Sequence, residues 1–438
     1  MTGQAGVTQK DRTGLAKASF LHCALSFLIT LYLAVSASAD ELRLQDLIAE
    51  ALEKSPEILA SESRAKAAGY RVPQAGSLPD PMFMFGYQNE GWERYTYGKS
   101  PDAQWMFAAS QMIPFPGKLS LKEDMARRDV EGLAMLQESV KLKTISRIRE
   151  LYFDLFLAYK TIDLIHDRTS LFSRIEDAAL ARYSSGMGMQ QEVLMAQTEK
   201  YMLLEKEEMQ KQRIQSLEAM LNATVGRDVN APLGRPAEQA FSRPAKNLDE
   251  LLLMAYDHSP EIRARQRMVA AAETKVRMAE KEYYPDFTLA AGYFNRGGGQ
   301  FDDMWSLTTT INIPLYYRTK QRQAVLEAEA TLAESKRELE ATRLMVSSVI
   351  RDNYSMYRTS EKLMEIYRGG LVPKTYQDFE SALAAYTTGK TEAITVISRL
   401  KALIDFETLY WAQVAEREKA SARFETMTGT VETGGTAE

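Results

Sequence analysis

Residues able to do chemistry are few in this chain, and their spacing points away from catalysis. Of 438 residues one is Cys (Cys23) and three are His (His22, His166, His258). A metal centre or a Cys–His nucleophile needs several such groups brought together. His166 and His258 stand alone, so no metal site, no cofactor site and no enzyme activity are expected. Methionine is abundant, at 21, and Met187 and Met189 could offer soft thioether ligands. Met also forms helices and fills gaps, so neither is assigned to a metal. Two short segments stand out instead: Tyr183-Ser184-Ser185-Gly186 with Glu192 beyond it, and Tyr386-Thr387-Thr388-Gly389 with Glu392 beyond it. Each has the composition of a tight turn opening a helix, where an acid is favoured by the helix dipole.

The elements around these turns are long. From Leu119 to Arg182 there is no Pro and a single Gly, Gly132. That is ~65 helical residues, or about 100 Å at 1.5 Å per residue. Ile145, Ile148, Tyr152, Leu155, Tyr159 and Ile162 step by three and four, a coiled-coil seam. A second such stretch runs from about Arg318 to Ala385, interrupted by Gly369-Gly370 and Pro373. Its seam (Val346, Val349, Met356, Leu363) is weaker, with Asn353 and Ser360 in the intervening places. Returning helices are expected over Gln190–Asn222 and Glu392–Met427, and shorter opening helices over Leu47–Val72, stopped by Pro73 and Pro79, and Leu248–Tyr283.

Between opening and long helices the hydrophobic period switches to two. Phe287, Leu289 and Tyr293 share one face of a strand, and Trp305, Leu307 and Ile311 share one face of the next, with small or polar residues opposite. Strands of this length with one apolar face suit a membrane barrel, and Trp305 near a strand end fits an aromatic girdle. Met82–Asn89 and Gln104–Ile113 are similar but alternate less cleanly.

The order of elements is written twice. Ser55-Pro56-Glu57-Ile58 recurs as Ser259-Pro260-Glu261-Ile262, Gly86-Tyr87 as Gly292-Tyr293, Ile113-Pro114 as Ile313-Pro314, the Tyr-bearing turns as each other, and Thr224-Val225-Gly226 as Met427-Thr428-Gly429. The spacing is about 200 residues throughout, the mark of an internal repeat. The expected organisation is a signal peptide over 1–39, repeat 1 over 40–226, a linker over 227–247, repeat 2 over 248–429 and a disordered tail over 430–438. The leader rests on Lys10, Arg12 and Lys17, the apolar stretch Phe20–Val35 and an Ala37-Ser38-Ala39 cleavage site. Its apolar part would span only ~24 Å as a helix, short of a bilayer core of ~30 Å.

Composition excludes other classes. Lys+Arg 54 against Asp+Glu 59 gives a charge of -5, with no basic field for nucleic acid. Mean hydropathy of -0.32 looks soluble. Four strands cannot close a barrel. A trimer with twelve strands, continued by helical hairpins into the periplasm, is the simplest closed solution. The expected fold is mainly α: long antiparallel α-helical hairpins forming an α-barrel, plus a small transmembrane β-barrel segment with four strands per protomer, internally duplicated. A periplasmic coiled-coil adaptor or scaffold without a pore is the alternative, and the apolar face of Phe287, Leu289 and Tyr293 argues against it.

Helix, strand pair, long helix, turn and returning helix, repeated behind a signal peptide, resembles the TolC-like outer membrane factor (outer membrane efflux protein) family from about Leu44 to Gly429. Ile113-Pro114-Phe115-Pro116-Gly117-Lys118 is similar to its heavy-metal, CzcC/CusC-like branch. The resemblance implies a homotrimeric exit duct in outer membrane lipid, its helical barrel extending into the periplasm. An inner-membrane pump and a periplasmic adaptor (membrane fusion protein) would be its partners in heavy-metal or other efflux. It also implies a gate at the periplasmic tips. Tyr386 and Gly389 match the family's second-hairpin turn and Gly186 the first, with Tyr183 beside it. Glu192 falls where the family has an acid, whereas Thr395 and Ser398 replace the second-hairpin acids and leave Glu392 nearest.

Overall fold

The computed structural model describes residues 41–238, 246–297 and 299–429. The expected signal peptide, residues 239–245 of the linker and the expected tail lie outside these residues. Helices α1 (Leu44–Lys54), α2 (Pro56–Gly69) and α3 (Arg71–Gly76) lead into strands β1 (Met82–Gln88) and β2 (Gln104–Ile113), then α4 (Lys118–Ser184) and α5 (Gln190–Val225). The second half runs α6 (Leu248–His258), α7 (Pro260–Lys281), β3 (Asp286–Asn295), β4 (Met304–Asn312), α8 (Gln321–Ile366), a π-helical turn (Tyr367–Leu371), α9 (Val372–Thr387) and α10 (Ala393–Thr428).

Each opening helix is broken at a Ser-Pro corner, into α1 and α2 with the short α3 beyond in repeat 1, and into α6 and α7 in repeat 2. Ser55 and Ser259 break the chain before a proline at the first helical position, where its missing N–H costs nothing. The break serves the returning helix. Gly226, at φ 96°, caps α5 so close to Lys54 that an added Cβ would lie 2.4 Å from its carbonyl oxygen. Gly429, at φ 69°, caps α10 against the carbonyl of His258 in the same way, at 2.5 Å. The repeated Ser-Pro and terminal Gly landmarks therefore touch each other. Past that point α2 and α7 continue beside the long helices, so a short helix and a returning one together flank each long one.

Three expectations need correction. Pro73 does not stop the helix, because it lies within the short α3, near its start, where a proline is tolerated. Gly369-Gly370 and Pro373 do not interrupt the second long helix either; the π turn absorbs the missing N–H and the column continues into α9. The seam of α8 is also shifted: Val346, Ile350, Asn353, Tyr357 and Ser360 are buried, while Val349, Met356 and Leu363 are half-buried. Asn353 and Ser360 hold seam positions because they have partners, the Val349 carbonyl at 2.8 Å and Gln413 at 3.0 Å.

α4, 67 residues long, is the spine. Ile148, Leu151, Tyr152 and Leu155 pack with Leu47, Ala51, Leu217 and Leu221 of α1 and α5. Tyr152 donates to the carbonyl of Leu42 at 3.0 Å, and also lies 3.0 Å from that of Ala237, tying the start of repeat 1 to the linker. Besides an apolar core shared at one end, repeat 2 is held to repeat 1 by charge: Arg149–Glu425, Glu150–Arg423 at 2.7 Å, Asp154–Lys419 at 2.9 Å and Arg168–Glu407 join α4 to α10.

The strands form one antiparallel sheet in the order β1-β2-β3-β4. Register puts Phe83, Phe85, Tyr87, Trp105, Phe107, Phe287, Leu289, Tyr293, Trp305, Leu307 and Ile311 on one face. The other face carries mostly Gly, Ala, Ser and Thr in β3 and β4, with Asp286 and Asn312 at the helical end and Phe294 and Met304 near the loop end, but several methionines in β1 and β2, which is why the first pair alternates less cleanly. β1 and β4 are free edges among the described residues. No helix among the described residues is long and apolar enough to cross a membrane.

Candidate functional site

The tip of the helical columns and the face of the sheet are the two places where side chains converge to an end. At the tip, α4 and α9 both finish in a left-handed glycine, Gly186 at φ 74° and Gly389 at φ 75°, a backbone that other residues adopt only with strain. The Gly186 N–H donates to the Tyr183 carbonyl and the Gly389 N–H to that of Tyr386, each at 3.0 Å.

The two tyrosines then part company. Tyr183 is 47% exposed, whereas Tyr386 is fully buried. The core around Tyr386 is built from all four tip helices, with Phe172, Ile175, Val396 and Leu400 among its members. Its hydroxyl donates to Glu192 Oε2 at 3.1 Å, joining the second hairpin to the first. Arg182, in the last turn of α4, completes the link. It donates to the Tyr386 carbonyl at 2.6 Å and to the Met187 carbonyl at 3.2 Å, and its guanidinium lies 4.8 Å from the Tyr386 ring centroid, a cation–π distance. Its Nε is 4.0 Å from Glu192 Oε2. Burial, and the hydrogen bond to the Glu192 carboxylate, push the Tyr386 hydroxyl up to about 12, although Arg182 pulls the other way.

Glu392 takes no part in this contact; it is the residue before α10, and its carbonyl accepts from the Thr395 N–H at 3.1 Å. Ser398 Oγ donates to the Thr395 carbonyl at 2.8 Å. The sequence reading missed Arg182. Its signal was a cation in the last turn of a long helix, beside Tyr183 and favoured there by the dipole.

On the sheet, Phe85 stacks on Trp105 at 5.2 Å, Tyr87 lies 4.8 Å from Trp105, and Tyr293 pairs with Trp305, forming an aromatic band near the loop end of the strands. Phe115 stacks on Tyr284 at 4.5 Å near the helical end, with Lys281 5.1 Å from the Tyr284 ring. Phe83, Trp305 and Leu307 are each more than 70% exposed, too much apolar surface to leave in water. Two aromatic bands bounding an apolar face are the signature of a strand segment in lipid. Among the described residues no group of three or more His, Cys, Asp or Glu could hold a metal ion.

A four-stranded membrane segment continued by helical hairpins of this length is the architecture of an outer membrane channel protein with a periplasmic helical barrel. A sequence profile of the outer membrane efflux protein family matches residues 47–227 and 251–406, and the chain belongs to that family. Membership of that family makes it an outer membrane efflux protein. The fold is similar to that of VceC from Vibrio cholerae, with TM-score 0.74, 18% identity, and 88% of this chain and 96% of that one covered. It is similar also to CusC (TM-score 0.75, 14% identity, 88% and 90% covered) and to the Campylobacter jejuni CmeC outer membrane channel (0.73, 13%, 88% and 85%). A search of curated protein sequences finds no match.

Proposed function

We propose that the protein works as a homotrimeric, passive exit duct, with two repeats (40–226 and 248–429) per protomer, and that it catalyses no reaction. The free edges of β1 and β4 carry this reading. Four strands are too few to close, so the sheet's unpaired backbone groups need another copy, and three copies suffice to leave a lumen. The outward face is then Phe287, Leu289, Tyr293, Trp305, Leu307 and Ile311 with their first-repeat counterparts. An inner-membrane pump would deliver substrate through a periplasmic adaptor engaging the helical tips.

At those tips we assign Arg182, Glu192 and Tyr386 the role of a latch within each protomer. Gly186 and Gly389 shape the turns that present it, Tyr183 lies on the exposed side, and Glu392 serves as a helix-start residue. The latch joins the hairpins through one phenol–carboxylate bond and one guanidinium at the end of an apolar core that both hairpins share. Protein extracted from outer membranes should run as a crosslinkable or SDS-resistant trimer and conduct ions in planar bilayers. A soluble periplasmic monomer would sink the reading.

A further inference from the structure

Large side chains on the two faces of the sheet differ in chemistry. Rings dominate the outward face, while Met82, Met84, Met106 and Met112 all fall on the opposite one. The internal duplication provides a comparison within the chain. Aligning Gly86-Tyr87 with Gly292-Tyr293 sets Met82 and Met84 beside Thr288 and Ala290. Aligning Ile113-Pro114 with Ile313-Pro314 sets Met106 and Met112 beside Ser306 and Asn312. At all four positions the second repeat has the short or polar residue usual for a water-facing strand, and the first repeat has a thioether.

An ordinary reason covers only Met106, which faces the Phe294 ring across the strands, a sulfur–aromatic pairing. Strands favour β-branched and aromatic residues. Nor does the pair fill a core, since Met82 is 63% and Met84 50% exposed. Register brings the four into two pairs. Met84 is opposite Ala108, so Met106 is its diagonal neighbour; Met82 is opposite Ser110, with Met112 diagonal to it. Diagonal neighbours are ~7–8 Å apart, within reach of long side chains. Met106 faces Gly86, which has no side chain to stand between it and Met84, and its methyl lies 3.3 Å from where a Gly86 Cβ would be. Thioether sulfur without carboxylate or imidazole selects soft monovalent cations over hard ones. Met304 lies on the same face but is occupied: Arg296 Nη2 sits 2.8 Å from its sulfur.

We propose that Met82, Met84, Met106 and Met112 form a thioether site for Cu(I) or Ag(I), two methionine pairs stacked along the inner face of β1 and β2. Its place in the transport path rests on the duct reading above, in which this face lines the lumen. The site binds transiently, holding a desolvated soft cation between two sulfurs at a time and passing it along the strand pair.

The test uses the full chain in detergent with Ag(I) as probe, read by titration calorimetry and silver-edge X-ray absorption, alongside sodium conductance in bilayers. Silver coordinated by sulfur is expected, weakened at least about tenfold in the M82L/M84L/M106L/M112L variant and unchanged in M187L/M189L. Leucine keeps the face apolar, so a merely hydrophobic lining predicts equal binding by the quadruple variant, and that result would overturn the site. Wild-type protein with no sulfur around silver would overturn it too. Loss of sodium conductance in the wild type would instead remove the duct reading, leaving the thioether binding to be judged on the spectra.

Discussion

Lys118 Nζ lies 2.9 Å from Asp286 Oδ1, an ion pair that crosses from repeat 1 to repeat 2 where strands give way to helices. Lys118 is 3% exposed, and Glu282 at 3.2 Å and the Tyr284 carbonyl at 3.0 Å complete its donor set. Asp286 accepts in turn from the Phe115 N–H at 2.8 Å. The segment from Ile113 to Lys118 is therefore a clamp: ring on ring outside, ammonium on carboxylates inside. It ties the start of α4 to the start of β3.

Removing one partner of a buried pair leaves the other uncompensated. K118M should lower the stability of the assembled protein by about 3 kcal/mol, read as a fall in the temperature at which the SDS-resistant species dissociates. An unchanged dissociation temperature would show that the clamp is dispensable.

At the tip, Y386F removes the one hydroxyl that joins the hairpins while keeping the buried ring. A lost hydrogen bond to a charged acceptor is worth about 1.5–3 kcal/mol, so leak of small solutes should rise by roughly ten- to a hundredfold. R182A, which also breaks two carbonyl contacts, should leak more, and Y183F, altering an exposed ring, should not leak. Equal antibiotic or dye sensitivity in wild type, Y386F and E192Q would reject the latch.

The pH dependence of that bond has a definite sign. The Tyr386 hydroxyl is raised from 10.0 to about 12, by burial first and then by the Glu192 carboxylate. A raised folded value stabilises the protonated phenol. The contribution is fully present below 10 and is lost as pH rises through about 12. Leak conductance should therefore stay level from neutrality to pH ~9. A rise centred well below 10 would mean that a group other than Tyr386 holds the entrance.

G226A and G429A test the duplication itself. A Cβ at either position would lie 2.4 or 2.5 Å from a backbone carbonyl, on a residue already at positive φ. Each should cost about 1–3 kcal/mol, seen as reduced thermal stability, and the double variant should cost about the sum, since distant sites add. G369A, with open space around its Cβ, is the control and should be near neutral or slightly stabilising.

Much of this was legible in the residues. Alternation at Phe287, Leu289, Tyr293 and Trp305, Leu307, Ile311 defines an outward face because strand period is two whatever the surroundings. The length of α4 follows from the absence of proline, and the repeat from landmarks in one order. Such features are local, so they survive without knowledge of neighbours. Packing across the molecule was not legible in the same way. That Asn353 and Ser360 sit on a seam depends on acceptors close by and across α10, and that Gly226 and Gly429 meet the Ser-Pro corners depends on where two helices end. Tyr183 and Tyr386 occupy the same place in their repeats, yet only Tyr386 is enclosed. Sequence alone determined the elements, their order and their duplication, because periodicity and backbone chemistry are read within a few residues. Only the tertiary structure decided that Arg182 and Glu192 close on Tyr386, because burial and partnership are properties of residues far apart in the chain brought together by packing.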